Sequence, residues 1–473
     1  MLDEKAHFDA DMPSVDFGSL NEHVLQLLST GDREGLARLL AGHHPSELAT
    51  LLEQIPMPEL AVETFRAIPD ELSGEVMASV AEGLRDDLLR ELSGVEIASV
   101  VTDTPPDDAV DIIEDLSERE RAEVLREVPA EQRAEIEQLM VYAPDTAGGL
   151  MSPRFTTVRE DMTAREAIEE IRRVADSTTE TIYYVYVVDA GGVLKGVLSL
   201  RELLLTPSSR RVSEVMTTPV RSIEAHEDQE EAAHLFSEYD LLALPVVDEG
   251  FRIIGVITVD DILDVREEEQ TEDVQKMVGA GGDERVDSPV WFSARRRLPW
   301  LAVNLVAAYG AALVVASLEE AIRLSSAVAL FMPVVAGVAG NTGAQSLAVV
   351  FRSVIMEEGG SRLVGRILWR SAMLGFLNSL VVSVLSAFMA FGLMTMAKET
   401  SLQERMQIAQ VIGVAMVISM TFASAVGAGI PLLMRRLGWD PARNANILLT
   451  ALTDMTGLGI YLGLVILWLP KVA

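Results

Sequence analysis

A single aspartate interrupts a long apolar stretch close to the end of the chain. Asp454 lies within LLTALTDMTGLGIYLG, and the apolar run from 447 to 469 is long enough to cross a bilayer. A carboxylate at that depth costs about 2.5–3.5 kcal/mol on insertion scales, so it is expected to face water or a partner. Asn446 and Thr450 precede Asp454 by eight and four residues and therefore share its helix face. Three aligned oxygen-bearing side chains predict the wall of a cation pathway.

The alternative interpretation of Asp454 is a salt bridge to a cation inside the membrane. No Lys, Arg or His lies near the middle of any apolar stretch, which disfavours this alternative. A second polar pair, Asn341 and Gln345, lies in FMPVVAGVAGNTGAQS, four residues apart on one helix face. Taken alone, these amides are equally consistent with polar groups that hold helices together in lipid. Beside Asp454 they favour a pore.

The ligand set suits a hydrated magnesium ion. Mg²⁺ gives up its water reluctantly, and proteins usually hold it through one or two carboxylates. One aspartate with amides and hydroxyls around it matches that preference better than a cage built only from protein ligands. A single subunit would supply half of such a pore, and a two-fold homodimer would complete it.

Five apolar stretches are long enough to span a membrane. They cover 298–318, 325–350, 367–396, 408–434 and 446–469. Ten Lys or Arg residues flank one side of these spans and four flank the other. Because basic residues accumulate on the cytoplasmic side, we expect a multi-pass protein of a bacterial-type cytoplasmic (inner) membrane, with cytoplasmic N-terminal domains and the C-terminus outside.

The charge of the chain is unevenly distributed. Its 473 residues carry a formal net charge of −34, with −40 in residues 1–290 and +6 in the remainder. An acidic surface repels nucleic acid and attracts cations, although solubility alone also accounts for the acids. The absence of cysteine excludes disulfides and thiolate metal sites. The first residues, MLDEKAHFDADMPS, lack the basic-then-apolar pattern of a signal peptide.

Composition divides the chain into five segments. The first is an N-terminal tail, 1–19. In the second, 20–140, Leu, Ile and Val recur at helical spacing between breaks that contain Pro or Gly, and this pattern predicts a helical superhelix. A segment rich in β-branched runs, 141–265, follows, and then an acidic connecting helix and linker, 266–294. The membrane domain occupies 295–473.

The segment 141–265 contains an internal repeat. Met151 and Met216 open matching stretches 65 residues apart, and Gly196 and Gly255 occupy matching positions 59 residues apart. Each copy alternates helix and strand, so the repeat predicts a tandem α/β module. This module resembles a pair of CBS domains.

The order of the segments resembles the MgtE family of magnesium channels or transporters, from about residue 20 to residue 470. The resemblance is carried by YAPDTAGGLM, ETIYYVYVVD, YDLLALPVVDE, VDDILDVREEEQTED, RRRLPW, FMPVVAGVAGNTGAQS and TALTDMTGLGIYL. It implies a multidomain membrane protein with an all-α helical superhelix N-domain, an α/β tandem CBS pair, a connecting helix and a five-helix transmembrane domain. It also implies a homodimer whose pore lies on the two-fold axis between the second and fifth spans.

The resemblance implies roles for individual residues. Asp454 and Asn446 match pore positions, and the connecting helix is expected to plug the pore when Mg²⁺ bridges it to the soluble domains. Acids match regulatory positions at Asp107, Asp111, Glu230, Asp240, Asp261, Asp264, Glu269, Glu272 and Asp273. Tyr184 and Arg201 match positions that contact ATP, which makes ATP a candidate ligand besides Mg²⁺. Glu202 is a third nucleotide candidate, and it departs from the Asp that such modules often carry at this position.

Two departures from the family pattern lie in the membrane segment. Ile447 follows Asn446 where the family usually has proline, so the cytoplasmic mouth is expected to differ, and Ala339 stands where glycine is common. The function predicted is a Mg²⁺-selective channel or transporter, not an enzyme, that imports magnesium and is closed by cytosolic Mg²⁺.

Other functional classes remain open. An ion-coupled secondary transporter for Mn²⁺ or Co²⁺ would require a second buried ionisable group, and the spans contain no obvious candidate. A membrane enzyme would require a nucleophile with a base or a metal-bound water, and the membrane half contains neither His nor Cys. A sensor that does not conduct is the third interpretation.

Overall fold

The computed structural model describes residues 16–174, 183–282, 284–286, 288–355, 364–397, 401–442 and 445–469. The chain divides into two compact units, Met1–Glu267 and Glu268–Ala473, and each is considered by itself. The predicted order of helical domain, tandem α/β module and five apolar helices is confirmed.

The helical domain consists of ten short helices. They are α1 (Phe17–Thr30), α2 (Arg33–Leu40), α3 (Pro45–Glu53), α4 (Pro58–Phe65), α5 (Asp70–Ser79), α6 (Glu82–Glu91), α7 (Gly94–Asp103), α8 (Pro106–Glu114), α9 (Glu118–Glu127) and α10 (Ala130–Leu139). Capping boxes at Ser93 with Glu96 and at Ser117 with Glu120 fix two helix starts. Alternate helices α3, α5, α7 and α9 pack on one another, which is the arrangement of a superhelix.

The tandem module contains two three-stranded sheets. The first is built from β1 (Thr157–Arg159), β2 (Tyr184–Val188) and β3 (Leu194–Ser199), and the second from β4 (Ile223–Glu224), β5 (Ala243–Val247) and β6 (Ile253–Thr258). In each sheet the first strand pairs parallel to the second, and the second pairs antiparallel to the third. Helices α11 (Ala164–Val174), α12 (Leu200–Leu205) and α13 (Gln229–Tyr239) complete the module.

The two repeats exchange their leading segments. Met151, which opens the first repeat, packs on Gly255 in the second sheet, and Met216, which opens the second repeat, packs on Gly196 in the first. A Cβ at Gly255 would lie 2.5 Å from the Met151 sulfur, so glycine is the residue that this contact requires. The packing of each sheet is therefore completed by a methionine from the other repeat.

Helix α14 (Val259–Val278) continues directly from the last strand. It begins seven residues before the connecting segment expected from composition, because the side chain of Asp261 caps its first turn by accepting hydrogen bonds from the Thr258 amide and hydroxyl. The helix is unbroken across the boundary between the two units.

The second unit contains the apolar helices. They are α15 (Val290–Ser317), the short α16 (Glu319–Leu324), α17 (Ala327–Ile355), α18 (Val364–Ala397), α19 (Leu402–Arg436) and α20 (Ala445–Trp468). Apart from α16, each is long and apolar enough to cross a membrane. Helix α19 lies at the centre, against α17, α18 and α20, whereas α15 packs mainly on α20.

The backbones of α17 and α19 approach each other closely where the two helices cross. A Cβ at Gly427 on α19 would lie 2.1 Å from the Gly343 carbonyl oxygen on α17. Leu449 of α20 packs on the same Gly343, where a Cβ would lie 2.9 Å from its nearest methyl. Small residues at this crossing therefore bring the three helices together.

Candidate cation pathway and regulatory carboxylates

The last helix presents two parallel rows of side chains. The buried row, which packs against neighbouring helices, contains Ala445, Leu449, Thr453, Gly457 and Tyr461. The polar row is displaced by one residue along the helix and is half-buried; it contains Asn446, Thr450 and Asp454. Because the packed row anchors α20, the orientation of the polar row is fixed by the helix itself.

The buried row is held by polar contacts as well as by packing. The Tyr461 hydroxyl is fully buried and donates a hydrogen bond of 3.0 Å to the Val328 carbonyl on α17. The Thr453 hydroxyl donates to the Leu449 carbonyl at 2.9 Å, so it is satisfied within α20. These bonds leave the packed face without a polar group directed at the polar row.

Asp454 has no hydrogen bond or ion pair to any residue in the described part of the chain. The neighbouring Thr450 hydroxyl donates to the Asn446 carbonyl at 2.9 Å, which leaves its oxygen lone pairs available as acceptors. Within the described subunit the carboxylate is therefore neither buried in a dry contact nor neutralised by a cation. Such a group can interact with a passing cation.

The amides of Asn341 and Gln345 lie on an exposed row of α17. The seam between α17 and α20 runs beside that row, since a Cβ at Gly340 would lie 3.7 Å from the Thr453 hydroxyl. No hydrogen bond joins either amide to Asp454 among the described residues. The structure thus brings the two helices together through their packed rows, and both polar rows lie outside the core of this subunit.

The two departures from the family pattern are accommodated locally. Ala339 lies in the α17–α20 seam opposite Gly457, whose added Cβ would be 3.9 Å from the Ala339 methyl. Gly457 on α20 therefore leaves room for the methyl group that Ala339 adds on α17. Ile447 is the third residue of α20, within the first turn, where proline and isoleucine are both compatible with a helix.

Six of the regulatory candidates lie in the first unit. Asp107 and Asp111 are on α8, Glu230 is in the first turn of α13, and Asp240 ends α13 in a left-handed conformation with φ of 51°. Asp261 and Asp264 are in the first two turns of α14. In the described residues no three His, Asp or Glu side chains are grouped closely enough to hold a metal ion.

The two acids at the start of α14 are held in surroundings that disfavour their charge. Burial raises the pKa of Asp261 to about 6, against the lowering effect of its hydrogen bond from Thr258. Burial also raises the pKa of Asp264, and the neighbouring Glu267 adds to the effect. A bound cation would stabilise both ionised carboxylates.

The other three candidates, Glu269, Glu272 and Asp273, lie on the part of α14 that belongs to the second unit. Burial, and after it the charge of Asp440, raise the pKa of Asp273 to about 6. Glu272 forms an ion pair of 2.5 Å with Lys276. Asp440 follows α19 and was not identified from the sequence. Its only signal there is that it is an acid in the basic connection between Arg436 and Arg443.

The nucleotide candidates lie around the first repeat. Tyr184 is in β2, and Arg201 and Glu202 are in α12. The Glu202 carboxylate accepts hydrogen bonds from the Ser199 amide and hydroxyl at 3.1 and 2.9 Å and thereby caps α12. Asp261 caps α14 in the same way at the matching position of the second repeat. Glu202 therefore has a structural role that accounts for it without a ligand.

Comparisons with known proteins give matches to one family along most of the chain. Residues 332–464 match a family described as divalent cation transporter, residues 43–145 match the MgtE intracellular N domain, and residues 147–208 and 212–268 match CBS domains. A magnesium transporter MgtE of Thermus thermophilus is 35% identical over 455 residues, covering 94% of this chain and 98% of the relative. One of Bacillus subtilis is 29% identical over 451 residues, covering 95% and 98%.

Among solved structures, the cytosolic domain of the Mg²⁺ channel MgtE in complex with ATP is 35% identical. It covers 52% of this chain and 99% of its own, with a TM-score of 0.49. The predicted family is confirmed by the relatives, and the predicted domain order is confirmed by the family domains matched along this chain. The chain belongs to the MgtE family of magnesium transporters.

Proposed function

We propose that two copies of this chain form a Mg²⁺-selective channel in the cytoplasmic membrane, with Asp454 of each copy facing the two-fold axis. The observation that carries the proposal is the polar row of α20, in which a carboxylate without a protein partner in the described chain follows an amide and a hydroxyl. A carboxylate in lipid requires water or a cation, and a second copy would enclose both. Mg²⁺ with part of its water shell fits such a site.

The exposed row of α17 supports the same assembly. Asn341 and Gln345 would line the passage together with the α20 row, because both rows lie outside the core of one subunit. Amide oxygens accept hydrogen bonds from the water shell of the ion and need not bind the ion directly. The passage would therefore conduct a hydrated ion past two carboxylates, one from each subunit.

Flux into liposomes that contain the purified protein tests this function. We expect Mg²⁺ entry in the wild type without an imposed proton or sodium gradient, and loss of entry in Asp454→Asn, which removes the charge and keeps the shape. Thr456→Ala is the matched control, because Thr456 lies two residues further along α20 and outside the polar row. Flux that requires a second ion gradient would favour the coupled transporter for Mn²⁺ or Co²⁺.

Closure by cytosolic Mg²⁺ is the second part of the proposal. Residues 1–290 carry a net charge of −40, so acidic residues outnumber basic ones in this part of the chain, and α8, α13 and α14 each contribute acids to the excess. Two like charges about 4 Å apart repel by about 4 kcal/mol at an effective dielectric of 20. Several such repulsions, relieved by bound Mg²⁺, could supply the ~5.5 kcal/mol that moves a two-state gate from 1:99 to 99:1.

The arrangement of Asp273 and Asp440 suggests where the end of α14 acts. Both carboxylates belong to the second unit, and the charge of Asp440 raises the pKa of Asp273. We propose that Mg²⁺ between them holds α14 in the closed state. Limited proteolysis of the full-length protein checks this gate: millimolar Mg²⁺ should protect the acidic part of the chain, and Asp273→Asn with Asp440→Asn should weaken the protection.

ATP is proposed as a regulator of the tandem module rather than as a substrate. Since Glu202 is engaged in capping α12, Tyr184 and Arg201 would carry the recognition. Calorimetric titration of ATP into wild type and Arg201→Ala tests this assignment, and equal heats in the two proteins would contradict it.

A further inference from the structure

A cavity of about 590 Å³ lies in the second unit, at the start of α15. Three cationic side chains line it, Lys276 from α14 and Arg295 and Arg296 from α15. Its acidic lining residues are Glu272 and Asp440, and Trp300 adds an aromatic wall. The cavity is separate from the polar row of α20 and from the nucleotide candidates, and it shares Glu272 and Asp440 with the acids proposed to regulate the channel at the end of α14.

The position of the cavity along α15 matches the headgroup level of a bilayer. Arg295 and Arg296 directly precede the apolar part of the helix, and Trp300 lies at its beginning. Arginine just outside a span and tryptophan at its edge are typical of the membrane–water interface. With the proposed orientation, this interface belongs to the cytoplasmic leaflet.

Three cationic and two acidic side chains line the cavity, an excess of one positive charge, and Asp440 offsets part of the charge of the two arginines. Lys276 and Glu272 neutralise one another through their 2.5 Å ion pair. The Arg296 guanidinium lies 5.4 Å from the centre of the Phe292 ring, which orients it, and the Arg295 side chain is exposed. Two neighbouring guanidinium groups provide the forked donors that bind phosphate oxygens well.

The lining is fixed by a hydrogen-bonded linker. The Gln275 amide donates to the Glu284 carbonyl at 3.0 Å, which ties the linker to α14. Arg297 donates to both oxygens of the Glu284 carboxylate, with 2.9 Å from its Nε, which ties the linker to α15. Gly282 lies against Glu272 so closely that a Cβ could not be added without displacement. The cavity is therefore built by three connected elements, α14, the linker and α15.

We propose that this cavity binds the headgroup of an anionic phospholipid. Arg295 and Arg296 hold the phosphate, and Trp300 packs against the glycerol and the first acyl carbons. Because Lys276 and Glu272 come from α14, a bound lipid also contacts the helix whose position is proposed to close the channel. Anionic lipid would then favour the docked position of α14 seen here. The proposal rests on the orientation given under the proposed function.

Native mass spectrometry of the detergent-solubilised, full-length protein tests the site, with dioleoyl-phosphatidylglycerol as the probe. Arg295→Gln with Arg296→Gln should lower the affinity for this lipid about thirtyfold, since each basic side chain at a membrane surface contributes about fivefold. Arg366→Gln is the matched control, because Arg366 is an exposed arginine at the start of α18 and does not line the cavity. The control should lower the affinity by no more than the fivefold expected of one basic side chain at a membrane surface, far less than the double variant does.

Three outcomes would overturn the proposal: equal binding by the double variant and the control, equal binding of phosphatidylethanolamine and phosphatidylglycerol, or displacement of the lipid by inorganic phosphate. Asp454→Asn separates this inference from the transport function. This variant should bind the lipid normally even though it conducts no Mg²⁺, so a failure of either idea leaves the other measurable.

Discussion

The backbone contact between α17 and α19 predicts that one added methyl group will disturb the pore from outside it. In Gly427→Ala the new Cβ would lie 2.1 Å from the Gly343 carbonyl oxygen. An ordinary contact between these atoms is about 3.4 Å, so the helices would have to separate by roughly 1 Å. Gly343 has no side chain that could move away, and its other neighbour is Leu449 on α20. The displacement therefore passes to α17, which carries Asn341 and Gln345.

The magnitude of this effect follows from the rigidity of the crossing. Adding a methylene to a well-packed interior typically costs 1–3 kcal/mol, and we expect about 3 kcal/mol here because the obstructing atom belongs to backbone. Gly429→Ala is the control on the same helix, since its new Cβ would meet only the end of Leu368 at 3.6 Å. We expect it to cost less than about 0.5 kcal/mol.

Two assays separate loss of fold from loss of pore geometry. The fraction of protein that remains monodisperse after heating in detergent reports stability, and Mg²⁺ flux into liposomes reports the pore. We expect Gly427→Ala to lose both thermal resistance and most of its flux, and Gly429→Ala to keep both. If Gly427→Ala matched Gly429→Ala in both assays, the close approach of α17 and α19 would be refuted.

Two further predictions concern the first unit. Hydrogen bonds from Arg66 and from Ser93 lower the pKa of Glu96 to about 2, so ionised Glu96 stabilises the helical domain above about pH 4.5 and this contribution is lost as the pH falls towards 2. Since the Glu96 side chain is 39% exposed, we expect Glu96→Gln to cost only about 1–2 kcal/mol at pH 7 and less at pH 4, measured by urea-dependent proteolysis of the full chain. Glu131, which is exposed in the first turn of α10, is the control, and Glu131→Gln should cost no more than about 0.5 kcal/mol. In the tandem module, Gly255→Ala should cost about 1–3 kcal/mol in the wild type. In a Met151→Ala background the same change should cost almost nothing, and additive costs in the two backgrounds would contradict the exchanged packing.

The sequence was most informative where one residue type stood out against its surroundings. Asp454 is a lone carboxylate in an apolar stretch, which identified it from the sequence alone, and in the structure it lies half-buried on the polar row of α20. The repeat that pairs Met151 with Met216 also predicted two similar α/β modules. It could not predict that each methionine packs on the other module, because an internal repeat carries no information on which copies touch.

Other features depend on tertiary contacts that periodicity does not encode. The apolar stretches mark contact with lipid, whereas helices end where backbone hydrogen bonds end, so α15 begins at Val290 and not at 298. The glycines around 340 indicated close helix packing, but nothing in the sequence selected Gly427 as the partner of Gly343. Asp440 was missed for the same reason, since it lies 167 positions from Asp273 in the chain.

Helix α14 offers a simple physical route for the proposed regulation. Its first turns carry Asp261 and Asp264, and its last turns carry Asp273, whose neighbour is Asp440. An α-helix of 20 residues cannot bend sharply without breaking backbone hydrogen bonds, so ions bound near its start and near its end bias the same rigid element. Two weak ion sites that act on one helix contribute additive free energies to its position. The gate then requires no series of rearranged side chains between the regulatory acids and the pore. A proline placed in the middle of α14, at the exposed Glu268, should therefore uncouple Mg²⁺ binding from closure while leaving the pore row of α20 intact.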